Sequence, residues 1–189
     1  MPLPLDEGVL YFWSTASEHR SRWKTVEKHT RVADAHAYCA SCGLVDRCTV
    51  RAAQSVSDAE LLTVHTQRHV DEVVALTAAV ADDPENRGLA EPDGPGGVYF
   101  TAHADTAARA ACGCVVEAAR AVLQADTSQR RAFTLVRPPG HHAGYDDTAG
   151  HRAEGFCFYN SVAVAAGCVL ERGLASKVAI LDWDVHHGK

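Results

Sequence analysis

A short apolar run that ends in carboxylates and imidazoles sets the limits on how this chain can fold: Val178-Ala179-Ile180-Leu181 continues directly into Asp182-Trp183-Asp184-Val185-His186-His187-Gly188. Such a run reads as a strand buried on both faces of a parallel sheet. Ligands of open α/β sheets bind beyond the carboxyl ends of the strands, so Asp182, Asp184 and His186 stand where that rule expects chemistry. In extended geometry the period of two puts all three on one face, roughly 6–7 Å apart per pair of residues. Two carboxylates and an imidazole together suggest a divalent metal. Alone, an Asp-x-Asp reads as readily as a solvated turn, but a second strand end matches it. Phe133-Thr134-Leu135-Val136 leads through Arg137-Pro138-Pro139-Gly140 to the pair His141-His142.

These stretches, together with Gly155-Phe156-Cys157-Phe158-Tyr159-Asn160-Ser161, resemble the zinc-dependent histone deacetylase family, and its class II members most. The resemblance covers nearly the whole chain, more strongly from residue 98 onward, and only the first half of a complete family domain. It implies an α/β fold of the arginase/deacetylase type, three layers around a mainly parallel sheet, here truncated. Residues 1–189 are then one partial catalytic domain.

What the resemblance implies for the site can be given residue by residue. His141 and His142 match the paired histidines that handle the proton of the attacking water and protonate the leaving amine, and Asp182 matches the carboxylate that orients His141. Asp184 and His186 match two of three protein ligands to Zn2+; the third is an aspartate from a later loop. Asp182, Asp184 and the backbone of His186 also match a structural monovalent-cation (K+) site. Gly155 and Phe156 resemble the lining of the channel for the acyl-lysine stem. Glu18-His19-Arg20 stands near the place of a His-Pro-Glu motif, without the proline, and His103 near that of a residue that binds the substrate backbone. The implied substrate is an acetylated histone or other protein. An arginase-like dimetal hydrolase, with the same fold, would show Asp-Ala-His-x-Asp instead of Asp182-Trp183-Asp184-Val185-His186. A truncated, non-catalytic protein that binds a partner is the alternative, and the chain alone is expected to be inactive and poorly folded. Lys189 departs from the Asp or Asn that usually follows His-His-Gly, as reading into an intron beginning GTAAGTGA would produce.

Charge narrows the partners. Lysine plus arginine number 18 against 24 aspartate plus glutamate, a net charge of −6 that argues against direct nucleic-acid binding. Seven cysteines, with no basic and apolar leader at Met1-Pro2-Leu3-Pro4-Leu5, read as reduced thiols of a soluble protein of the cytoplasm and/or nucleus. No apolar stretch approaches the roughly 18 residues that span a bilayer. Cys39-Ala40-Ser41-Cys42, with His36 and Cys48 nearby, lacks the second pair of a zinc knuckle and reads as ordinary thiols.

Along the chain, Val9–Trp13 and Cys48–Val50 read as strands. A helix is expected from Trp23 to about Cys42, ended by Gly43, with Val26, Val32, Ala33, Ala37 and Ala40 loosely at helical spacing. Ser57-Asp58-Ala59-Glu60 is a capping box. Helices are expected over Gln67–Ala81, with Val70, Val73, Val74 and Thr77 on one side, and over His103–Gln124. Residues 82–97 read as a surface loop, as do Ala143–Glu154, where His151 reads equally as a solvated side chain or as a functional one. A last helix from Tyr159 packs Val162, Val164, Ala165 and Val169 inward, ends at Gly173 and crosses over to the final strand. His65 and His69 read as structural.

Overall fold

The computed structural model describes residues 8–21, 25–82, 98–124, 129–146 and 155–189. At its centre three parallel strands lie in the order β2-β1-β3, where β1 is Val9–Ser14, β2 is Cys48–Val50 and β3 is Ala132–Val136. Leu10 is level with Thr49 on one side and Ala132 on the other.

The alternation of β1 divides its side chains between two layers. Leu10 and Phe12 pack on Cys114 and Ala118 of helix α4, Ala104–Leu123. Tyr11 and Trp13 instead meet His36 of helix α1, Arg31–Ser41. The Trp13 and His36 rings stack with centroids 3.7 Å apart, and the Tyr11 hydroxyl lies 3.0 Å from His36 Nδ1. A strand that is apolar on both faces therefore produces helix, sheet and helix layers, the α/β arrangement expected from the sequence.

Beyond α4 lies the larger core. Val70, Val73 and Val80 of α3 (Gln67–Asp82), Val164, Ala165 and Cys168 of α5 (Ser161–Glu171) and Leu61 of the single-turn helix α2 (Asp58–Leu61) converge there on Val116 and Phe158. The Ser57–Glu60 capping box starts α2, and the Asn160 side chain accepts the Ala163 N–H at 3.1 Å to start α5. Burial pushes the Cys112 thiol up and the Cys114 thiol up to about 11, so these cysteines pack as small apolar groups. All seven cysteines are free. No described helix is long and apolar enough to cross a membrane.

Several sequence expectations are corrected. Val178–Leu181 forms no strand: it is exposed, with Ile180 at 55% and Leu181 at 83%. A strand persists only against a neighbour, and none of the described strands pairs with it. Helix α1 begins at Arg31, not Trp23, because the preceding turn carries Glu27 into a fully buried ion pair. Val26, Val74 and Val162 are exposed rather than packed. Asp82, expected in a loop, ends α3; the rest of that loop, 83–97, and His151 with its neighbours in 147–154, lie outside the described residues.

Candidate active site

Strand β3 delivers the histidine pair through a turn that a buried arginine holds. After Val136 comes the cis Arg137–Pro138 peptide, and the Arg137 side chain turns inward to 2% exposure. Arg137 Nε donates to Glu27 Oε1 at 2.8 Å, Nη1 to the carbonyls of Ala16 at 2.7 Å and His19 at 2.9 Å, and Nη2 to the Tyr99 hydroxyl at 2.9 Å. A buried guanidinium is tolerated because its charge is paired and its donors are used. Sequence reasoning missed this anchor: Glu27 and Arg137 are 110 residues apart, and nothing local marks either as buried.

His19 belongs to the same support. It is buried against Tyr99, with ring centroids 4.5 Å apart, and its Nδ1 lies 2.9 Å from Thr101 Oγ1. Burial, then the Arg137 guanidinium and His103, lower its pKa to about 3, so it is a neutral core imidazole at ordinary pH. His103 is the exposed N-cap of α4 and makes no side-chain cap bond.

Past the turn, His141 and His142 face the end of the chain. Their rings are 4.1 Å apart, and the His142 ring lies 5.9 Å from that of His186. Asp182 Oδ2 accepts from His141 Nδ1 at 2.9 Å, and the His141 carbonyl accepts the Lys189 N–H at 2.9 Å. His141 thus holds both ends of the segment 182–189. Within it the carboxylates close two successive turns, Asp182 Oδ1 accepting the Asp184 N–H at 3.1 Å and Asp184 Oδ1 the His186 N–H at 2.8 Å. These turns replace the extended geometry expected from the sequence. His187 is exposed.

Gly155 and Phe156 complete the group from the other side. Both have left-handed backbone, φ +55° and +66°, which is uncommon for a bulky residue and occurs at binding sites. A Cβ at 155 would lie 2.0 Å from His142 Cδ2, so only glycine lets this loop approach the imidazole. Behind it the Tyr159 hydroxyl donates to Asp105 Oδ1 at 2.6 Å, anchoring the loop on α4. The structure therefore brings together His141, His142, Gly155, Asp182, Asp184 and His186, with Phe156 beside them; His19 and His103 stand apart.

The carboxylates are ionised. The His141 imidazole, then the Asp184 N–H, hold Asp182 below its ordinary pKa; the His186 N–H, then its imidazole, do the same for Asp184. Among the described residues no three or more His, Cys, Asp or Glu side chains are placed to hold a metal ion. Asp184 and His186 nonetheless suit two of its bonds. Asp184 Oδ1 and His186 Nδ1 converge to 2.8 Å, and both side chains are open to solvent. A carboxylate oxygen and an imidazole nitrogen on one exposed turn are donors of the kind that zinc takes.

The family model "Histone deacetylase domain" matches residues 25–189. The chain is 36% identical to "Histone deacetylase 18" of Arabidopsis thaliana over 149 residues, 77% of this chain and 20% of that protein. It is 33% identical to "Histone deacetylase 7" of Homo sapiens, over 98% of this chain and 21% of that one. With "Histone deacetylase-like amidohydrolase" of Pseudomonas aeruginosa it shares 37% identity over 77% of this chain and 34% of the relative. The solved structure titled "Crystal Structure of HDA15 HD domain" superposes with a TM-score of 0.76 at 31% identity, covering 96% of this chain and 48% of that one. The chain thus spans at most about half the length of these proteins.

Proposed function

The chain belongs to the histone deacetylase family, and from that premise we propose that it carries the proton-handling half of a zinc-dependent site that hydrolyses acetyl-lysine amides on histones or other proteins. One observation carries the reading: Asp182 accepts from His141 Nδ1, and the same short segment presents Asp184 and His186 beside the imidazole pair. The bond to Asp182 fixes the proton of neutral His141 on Nδ1 and leaves Nε2 as the basic nitrogen. Nε2 lies on the Asp184 side of the ring, 3.9 Å from Asp184 Oδ1.

Asp184 and His186 would hold the zinc, with further coordination from outside the described residues. When bound, zinc supplies a Lewis acid for the amide carbonyl and brings the attacking water's pKa near neutrality. The pair His141-His142 takes up the water's proton and delivers one to the lysine nitrogen as the C–N bond breaks, giving acetate and the free amine. Imidazole suits both directions because its unperturbed pKa lies near the working pH. Phe156, next to the glycine that touches His142, provides an apolar wall for the lysine stem, worth about 0.8 kcal/mol per methylene buried. A monovalent cation at Asp182, Asp184 and the His186 backbone belongs to the same reading, as do residence in cytoplasm and/or nucleus and acetylated proteins as the only macromolecular partners required.

The test is zinc-dependent turnover of an acetyl-lysine peptide by a protein that contains these residues, and its loss in His142→Ala with the melting temperature kept. Parental rates in that variant would remove His142 from the reaction. A second reading, a non-catalytic binding module, is favoured by the exposed apolar stretch in which Trp183 is 90% and Val185 91% exposed. It requires neither bound zinc nor turnover, and those two measurements separate the readings.

A further inference from the structure

His65 and His69 are buried outside the group just described, with rings stacked 4.7 Å apart. The bonding of His65 defines its chemical state. The Asn160 backbone N–H, which can only donate, lies 3.0 Å from His65 Nε2; the Gly144 carbonyl, which can only accept, lies 3.0 Å from Nδ1. The ring is therefore neutral with its proton on Nδ1. In that single form it joins the segment leaving His142 to the segment leaving Phe156.

Neighbouring bonds tie the two segments to each other, and both of them to the start of α3. Asn160 Nδ2 donates to the Ala143 carbonyl at 3.2 Å, the Thr66 N–H to the Tyr145 carbonyl at 2.9 Å, and Arg68 pairs with Asp146. His69 Nε2 donates to the Phe158 carbonyl at 2.8 Å. At their other ends the two segments meet where Gly155 lies against His142.

We propose that His65 is a positioning residue for the site: its neutral imidazole clasps the two loops at one end and so fixes His142 against Gly155 at the other. The proposal rests on reading His141-His142 as the reacting pair, but its test needs no turnover. A rigid ring with a donor and an acceptor on different edges can satisfy both backbone groups, whereas phenylalanine keeps the shape and leaves both orphaned. Glutamine retains one donor and one acceptor.

Hydrogen exchange and ring NMR of the 189-residue chain, His65→Phe and His65→Gln decide it. The expected result in His65→Phe is exchange at Asn160 faster by roughly tenfold or more, together with displaced His142 ring resonances, while the response of His186 to added zinc is unchanged. His65→Gln restores both in large part. Unaltered Asn160 exchange and His142 resonances in His65→Phe would overturn the proposal. Should His65→Phe exchange fast everywhere, including residues 9–14, the unsubstituted chain decides: a His65 ring protonated on Nδ1 alone supports the clasp, and a ring protonated on Nε2 at neutral pH overturns it. Absent turnover by an otherwise complete protein that contains these residues, with these signals intact in the 189-residue chain, would count against the deacetylase reading and leave the clasp standing.

Discussion

Gly155 and His142 are in direct contact across two loops, with the position of a Cβ on residue 155 only 2.0 Å from His142 Cδ2. The left-handed backbone at Gly155 adds a second reason for the missing side chain. Gly155→Ala is accordingly expected to displace the imidazole. In an active protein containing this segment, kcat should fall by roughly 10²-fold, the effect of about an ångström of misplacement, with zinc affinity maintained. Steady-state kinetics beside zinc titration check it, and a parental kcat would separate the contact from catalysis.

Arg137 and Glu27 form an ion pair in which both side chains are almost wholly removed from solvent. Arg137→Met should destabilise the fold by about 3–5 kcal/mol, since the Glu27 charge would remain buried and unpaired. Replacing both with Met and Leu should recover a large part of that loss. Urea unfolding of the single and double variants is the measurement; a single variant within about 0.5 kcal/mol of the parent would contradict this account of the turn before His141.

Acid should weaken the fold through His19. Its pKa is about 3 when folded, against an ordinary value of 6.5, so between those limits the unfolded chain binds the additional proton. Stability then rises with pH through this window and is lost as pH falls from about 6.5 toward 3, with a slope of up to about 1.4 kcal/mol per pH unit from this residue. Unfolding midpoints measured from pH 7.5 to 5 should show the decline, and it should be shallower in His19→Phe. Equal slopes would remove His19 as its source.

Strands and most helices were legible because their signals are local. A continuous run of apolar strand formers marks β1, the capping box marks α2, and Gly43 and Gly173 end α1 and α5 with φ of +70° and +66°. Illegible features depend on partners distant in sequence. Glu27 shortens α1 because Arg137 draws it inward, His65 serves Gly144 and Asn160, and Val178–Leu181 carries the residues of a buried strand but pairs with none of the described strands. The site shows the same division. Motifs named His141, His142, Gly155, Asp182, Asp184 and His186, whereas the turns that bring Asp184 Oδ1 onto His186 Nδ1 required coordinates.

Zinc binding by the 189-residue chain, followed by calorimetry and by the His186 ring signals, tests the central assignment most directly. The expected result is one equivalent bound, weaker than at a complete three-ligand site, with His186 Nδ1 perturbed and binding abolished by Asp184→Asn or His186→Ala but kept in Cys39→Ser/Cys42→Ser. Binding that survives the Asp184 and His186 substitutions, or that disappears with the two cysteines, would place the metal elsewhere and contradict the account.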